Sequence, residues 1–221
     1  MALKKTVLKK LLLNRDWDGI LSWWQQERSA QRVVLSMLFD SGPLLKWRTV
    51  QALGCICGFK APENIEWVRG VVRHLLWGMN DESGNLIWIA PEALAEVLLR
   101  VPSLIDEYAE IVISNHDLEP FEAGVHLFMA RISAVKPELL KKHYNALLQS
   151  LQNSDPKIRL FAAIALKNAD PQFEAQFVHL ISEAETVEIY DFSESVLKRV
   201  SVASVINAHA NDRAGNFIAL G

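Results

Sequence analysis

The residues that could do chemistry are few and scattered. Six histidines stand at 74, 116, 126, 143, 179 and 209. None forms the HExxH pair that places two imidazoles and a carboxylate on one helix face to bind zinc. His116-Asp117 reads as a turn or, less simply, as a ligand pair. Cys55 and Cys57 are the two cysteines. On a helix, residues two apart point in different directions, so these thiols are placed neither to bridge each other nor to chelate as a pair. No GxSxG elbow, Walker-type loop or GxGxxG turn is present. The expectation is no catalytic residue, no metal and no cofactor.

The side chains with an unusual local pattern lie elsewhere. All seven tryptophans fall in the first 88 residues, at 17, 23, 24, 47, 67, 77 and 88. Trp23 and Trp24 are about 100° apart on a helix, so one can face outward. Trp77 and Trp88 flank a polar stretch, Asn80-Asp81-Glu82-Ser83-Gly84-Asn85. Two readings of that stretch stand. Asp81 and Ser83 cap a helix or close an Asx-turn while the tryptophans pack beneath, or the loop and its aromatic flanks form a binding surface. The second makes Trp47, Arg48, Trp77, Asn80, Asp81, Glu82, Trp88 and Glu92 the candidate partner-binding residues.

The elements that position these residues are helices. Prolines at 43, 62, 91, 102, 120, 137, 156 and 171 mostly precede runs of helical periodicity, and proline is tolerated in a first turn, where its missing N–H would be unpaired anyway. Asp155-Pro156 and Asp170-Pro171 add capping residues. Ile158, Phe161, Ala162, Ala165, Leu166 and Ala169 keep the i, i+3, i+4, i+7 rule, and Leu45, Thr49, Ala52, Leu53 and Ile56 repeat it. Further runs lie at 65–79, 94–101, 121–132 and 140–151. No segment shows a sustained period of two, which predicts an all-α chain.

The segment Asn153-Ser154-Asp155-Pro156-Lys157-Ile158-Arg159, followed by Leu160-Phe161-Ala162-Ala163-Ile164-Ala165-Leu166, resembles the second-helix signature of HEAT-like repeats, including the bacterial type named from phycobilisome lyases. Phe39-Asp40-Ser41-Gly42-Pro43-Leu44-Leu45-Lys46-Trp47-Arg48 through Gly54 is a second copy. Leu86–Leu94 and Phe121–Met129 are weaker copies, and Ile189–Leu197 is a degenerate fifth. Taking Leu45, Leu86, Phe121 and Ile158 as equivalent, the steps are 41, 35 and 37 residues, a period suited to one helical hairpin. Residues 38–98 are also similar to a group of bacterial HEAT-repeat proteins, a likeness that carries no activity with it. The resemblance implies an α-α superhelix, or solenoid, of about five hairpins across residues 1–206, with 207–221 as a tail.

What the resemblance implies about function is a protein or peptide partner held by a non-enzymatic scaffold. An alternative is a HEAT-fold enzyme, such as an alkylpurine DNA glycosylase, with Trp88, Glu92 and Arg48 or Arg159 imitating its aromatic and charged groove. Another is a lyase or chaperone for a chromophore. The metal-hydrolase and di-iron HEAT enzymes find no matching histidine pattern. A net charge of −3 offers no general basic footprint, so nucleic acid is not the expected partner. Half the residues are hydrophobic, too many for a disordered chain. The N-terminal fifteen residues carry Lys4, Lys5, Lys9, Lys10 and Arg15 without an acid, while residues 170–195 carry seven acids without a Lys or Arg. The longest apolar run near the start is Leu11–Leu13, too short for a signal peptide core or a membrane span, which predicts a cytoplasmic protein.

Overall fold

In the computed structural model, residues 2–80, 84–170 and 185–205 are described. Helix dominates them, and the chain divides into two compact units, Met1–Ile105 and Asp106–Gly221. The first unit holds α1 (Ala2–Asn14), α2 (Trp17–Gln26), α3 (Ala30–Met37), α4 (Pro43–Lys60), α5 (Ile65–Met79) and α6 (Ala90–Arg100), followed by a 3₁₀ turn at Pro102–Leu104. Prolines open α4 and stand in the first turn of α6. Asp16 and Asn64 cap α2 and α5, accepting from the N–H of Gly19 and Trp67, which satisfies donors that a helix start leaves unpaired.

Helix α4 packs against every other helix of this unit. Val50, Ala52, Leu53, Ile56 and Cys57 of α4 are buried, and its most extensive partner is α6, itself buried along nearly its whole length. The two helices approach at Gly54. A Cβ built there would lie 2.4 Å from Cγ of Glu96, so glycine is required by the close approach. Glu96 is fully buried, and Oε1 accepts from Nε of Arg100 at 3.1 Å. Arg48 of α4 is also buried. Its Nη1 donates to the carbonyls of Leu12 and Leu13 at 3.1 and 2.9 Å, which closes the C-terminal end of α1. The basic first helix is held inward by Leu8 and Leu12 and by ion pairs from Lys4 to Glu27 and from Lys9 to Asp40. The bond from Lys9 holds the Asp40 carboxyl below its ordinary range.

The second unit contains α7 (Ile105–Ile113, whose first residue belongs to the first unit), α8 (Glu122–Ser133), a 3₁₀ segment (Pro137–His143) running into α9 (Tyr144–Ser150), and α10 (Pro156–Ala169). Helices α8 and α10 form its main packed pair, with Val125, Phe128, Met129 and Ile132 facing Ile158, Phe161, Ala162, Ala165 and Leu166. Asp155 caps α10 by accepting from the Lys157 N–H, as the Asp-Pro pattern predicts.

One expectation fails here. Residues 189–197 are not a fifth helical repeat but part of an antiparallel hairpin, β1 (Thr186–Asp191) paired with β2 (Val196–Ser201) in the register Thr186↔Ser201 to Asp191↔Val196. The cause is local. Val187 and Ile189 are buried while Thr186 and Glu188 are exposed, a short period-two alternation in β-branched residues. The turn closes through Asp191, whose Oδ1 accepts from the Ser193 and Glu194 N–H groups and from the Ser193 hydroxyl, with Ser195 at φ 57°. Phe192 in this turn lies under the wholly buried guanidinium of Arg131, 3.6 Å from its ring centroid. The hairpin thereby covers a cation of α8. The expected C-terminal tail, 207–221, lies outside the described residues.

His126 on α8 is buried, its Nδ1 2.8 Å from the Glu122 carbonyl and its Nε2 2.8 Å from the Ser150 hydroxyl of α9. Burial lowers its pKa from the ordinary 6.5. The Glu122 carbonyl and Asp155 act in the opposite direction, while His116 adds to the lowering.

Two outcomes follow from this packing. Gly54→Ala forces Glu96 aside and is expected to destabilise the fold by about 1–3 kcal/mol, read as a lower urea midpoint at unchanged slope. For His126, the unfolded chain takes up its proton first as pH falls. Stability is therefore complete above about 6.5 and declines below it. In His126→Gln, thermal midpoints measured between pH 7.5 and 5.5 should decline less steeply than in the wild type.

Candidate interaction surface around Trp77 and Trp88

The candidate surface begins where α5 stops. Asn80 ends the helix, with its N–H donating to the Trp77 carbonyl at 2.9 Å and its side-chain amide to the Leu76 carbonyl at 3.2 Å. Asp81 and Glu82, two of the candidate residues, lie outside the described residues with Ser83. The chain resumes at Gly84 in the left-handed region, φ +83°, which glycine adopts at no steric cost. The return is then fixed at one pair. The Ile87 N–H donates to the Gly78 carbonyl at 2.9 Å. The buried Ile87 side chain rests where a Gly78 Cβ would be, 2.5 Å from Ile87 Cδ1.

That pair sets the fate of its neighbours. Met79, Ile87 and Ile89 are buried, so Trp77 and Trp88, each beside a member of the pair, are turned outward. They are 67% and 68% exposed. Of the two readings of this stretch, the one with tryptophans packed beneath the loop does not hold. Two other tryptophans of the unit behave differently: Trp24 and Trp67 are half-buried and meet edge to face at 5.4 Å, with Lys60 over Trp24.

The structure thus joins Trp77, Asn80 and Trp88 through the closure of one loop, and Glu92 follows half-buried in the first turn of α6, where a carboxylate complements the helix dipole. It does not bring Arg48 to them. That guanidinium faces the end of α1, and Trp47 is a half-buried residue of α4. Arg159, the other arginine considered for a charged groove, bonds the Asn153 and Ser154 carbonyls and the Glu185 carboxylate. Neither arginine is presented as an open groove cation.

No nucleophile is prepared on α4. Burial raises both the Cys55 and the Cys57 thiol, Cys57 far more strongly, so they remain protonated at neutral pH. Among the described residues no group of His, Cys, Asp and Glu side chains could hold a metal ion, and no helix is long and apolar enough to cross a membrane.

Sequence reasoning missed a second feature. Arg28, Ser29, Gln31, Arg32, Leu35 and His74 line an open cleft of about 530 Å³. The visible signal was Arg28 and Arg32, two like charges four residues apart with no acid between them. Comparison with protein-family models, curated proteins and solved structures finds no match.

The Gly78–Ile87 contact is testable by itself. Gly78→Ala displaces Ile87 at an expected loss of about 1–3 kcal/mol, and the Ile87 amide should exchange with deuterium faster, measured on peptides covering residues 84–90.

Proposed function

We propose that the chain is a cytoplasmic, non-enzymatic scaffold of HEAT-like helical hairpins that grips a protein or peptide partner at the Trp77–Trp88 surface. The observation that carries this reading is the pair of outward tryptophans held on either side of a single closed contact. A large aromatic side chain in water forgoes burial. Covering the exposed two-thirds of each indole would remove roughly 100–170 Å² from solvent, a gross gain of about 2.5–4 kcal/mol apiece. Tryptophan is also the residue type most enriched where interfaces concentrate their affinity.

The helical frame supports the reading in a second way. Helices α4 and α10 each begin at a proline and bury small residues, Ala52 and Gly54 in α4 and Ala162, Ala163 and Ala165 in α10. Repeat arrays use such small residues for close stacking, and place local departures on their binding faces. The loop between Trp77 and Trp88 is the departure in this chain. Its amide-rich rim of Asn80 and Asn85, both exposed, suits the polar border of an apolar contact.

The test is comparative. Trp77→Ala/Trp88→Ala is expected to keep the wild-type unfolding midpoint, because both side chains are mostly in solvent. A protein captured from native lysate by the wild type and lost with the double variant would then be purified and titrated. The expected outcome is at least about a tenfold weaker Kd for the variant. Equal affinity of wild type and variant for every purified partner would overturn the assignment.

A further inference from the structure

The cleft between the start of α3 and the face of α5 is a separate feature, and its chemistry is cationic. Arg28 and Arg32 are both exposed at its edge. Neither makes a hydrogen bond or ion pair among the described residues. Three other arginines of the unit are engaged: Arg48 with α1, Arg69 with Glu66, Arg100 with Glu96. The acid nearest in sequence is withdrawn from the cleft arginines. Oε1 of Glu27 accepts from Lys4 Nζ at 2.7 Å, from the Ser29 N–H at 3.0 Å and from the Ser29 hydroxyl at 2.8 Å. These bonds, that of Lys4 foremost, hold its carboxyl at about 2, so it stays an anion already matched by its own cation.

Ser29 has a further consequence. Its side chain turns to Glu27 and Lys4, so α3 lacks a side-chain cap. The Gln31 and Arg32 N–H groups have no acceptor among the described residues. They belong to the first turn of α3, two of whose residues, Gln31 and Arg32, line the cleft. His74 contributes an imidazole from α5, and Leu35 an apolar wall.

We propose that this cleft binds a small organic molecule through a phosphomonoester dianion. Two guanidinium forks match two negative charges and offer paired donors to tetrahedral oxygens. Uncapped helix N–H groups add donors of the same sign. The volume, about 530 Å³, exceeds that of a bare phosphate and falls in the range of small-molecule pockets, which leaves Leu35 to meet the organic part. The cleft lining shares no residue with the Trp77–Trp88 surface, and the two assignments fail independently.

The experiment titrates the full chain at fixed ionic strength and pH 7.5 with phenyl phosphate, inorganic phosphate, benzoate and acetate. The readout is the Trp67 indole N–H resonance, since that group donates to the Gln31 side chain at 3.2 Å beside the cleft. Saturable shifts are expected with both phosphates, phenyl phosphate binding more tightly, and each carboxylate weaker than its phosphate counterpart. Arg28→Gln/Arg32→Gln should weaken phenyl phosphate by about tenfold or more, while Lys10→Gln on the exposed face of α1 should not. Circular dichroism confirms that each variant is folded. Absence of saturation by phenyl phosphate, or equal binding by the folded double variant, would overturn the site. Benzoate binding as tight as phenyl phosphate would overturn the dianion, and inorganic phosphate equal to phenyl phosphate the organic ligand.

Discussion

A carboxylate with no exposure to water sits where α4 and α6 come closest, and the first unit is organised around it. Glu96 fits there only because Gly54 has no side chain, and it is matched by Arg100 one turn further along its own helix. A buried ion pair adds little net stability over an apolar pair, but breaking one by removing a partner is strongly destabilising. That pair lies within α6, so it is the fit of Glu96 against Gly54 that fixes which part of α6 faces which part of α4. With α6 placed, the residues that lead into it are constrained as well, because Ile87 must reach back to Gly78 while Ile89 and Ala90 enter the core. Trp88 is left between two buried isoleucines, and outward is the direction open to it.

The same logic explains which parts of the fold were legible in the sequence. Helix starts were, since proline and aspartate act within one turn and leave a local mark: Pro43, Pro91 and Asp155-Pro156 all stand where helices begin. The apolar spacing of α4, α5, α8 and α10 was legible for a similar reason. The use of Arg48 was not. In the sequence it belongs to a Trp-Arg pair in a repeat-like segment, yet its partners are carbonyls thirty-five and thirty-six residues away. A long-range cap of that kind has no sequence spacing to betray it. Glu27 is comparable, because its neutralisation by Lys4 requires α1 to lie beside the α2–α3 turn.

The hairpin marks the opposite failure, in which a local signal was present and outweighed. Its first strand shows only a few alternating residues, and the acids of residues 170–195 drew attention as a charge run. Three of the described acids have separate roles: Asp191 closes the turn and binds Lys198, Glu194 shares that lysine, and Glu185 meets Arg159. For Asp191, burial pushes its carboxyl upward, but the bonds from Lys198, Ser193 and Glu194 together outweigh it and hold it low. The hairpin forms because it also covers Arg131. A guanidinium wholly out of water needs compensation, and an aromatic face at 3.6 Å supplies part of it. A helix through residues 189–197 would not make the Asp191 turn that carries Phe192 to that guanidinium.

The two surface features of the first unit differ in how they arise, and this bears on what each can bind. The Trp77–Trp88 surface is the outward side of a well-packed closure. Beneath it the Ile87 N–H meets the Gly78 carbonyl, and that contact leaves both indoles facing outward. The cleft is instead the outcome of a charge redistribution. Lys4 occupies Glu27, Glu27 occupies Ser29, and the cap that would have closed α3 is diverted. What remains is a concave region with positive charge and unmatched N–H donors, in a protein whose net charge is negative. An apolar partner gains nothing from such donors, and a cation is repelled by them. A small dianion meets both the charge and the hydrogen-bonding demand at once.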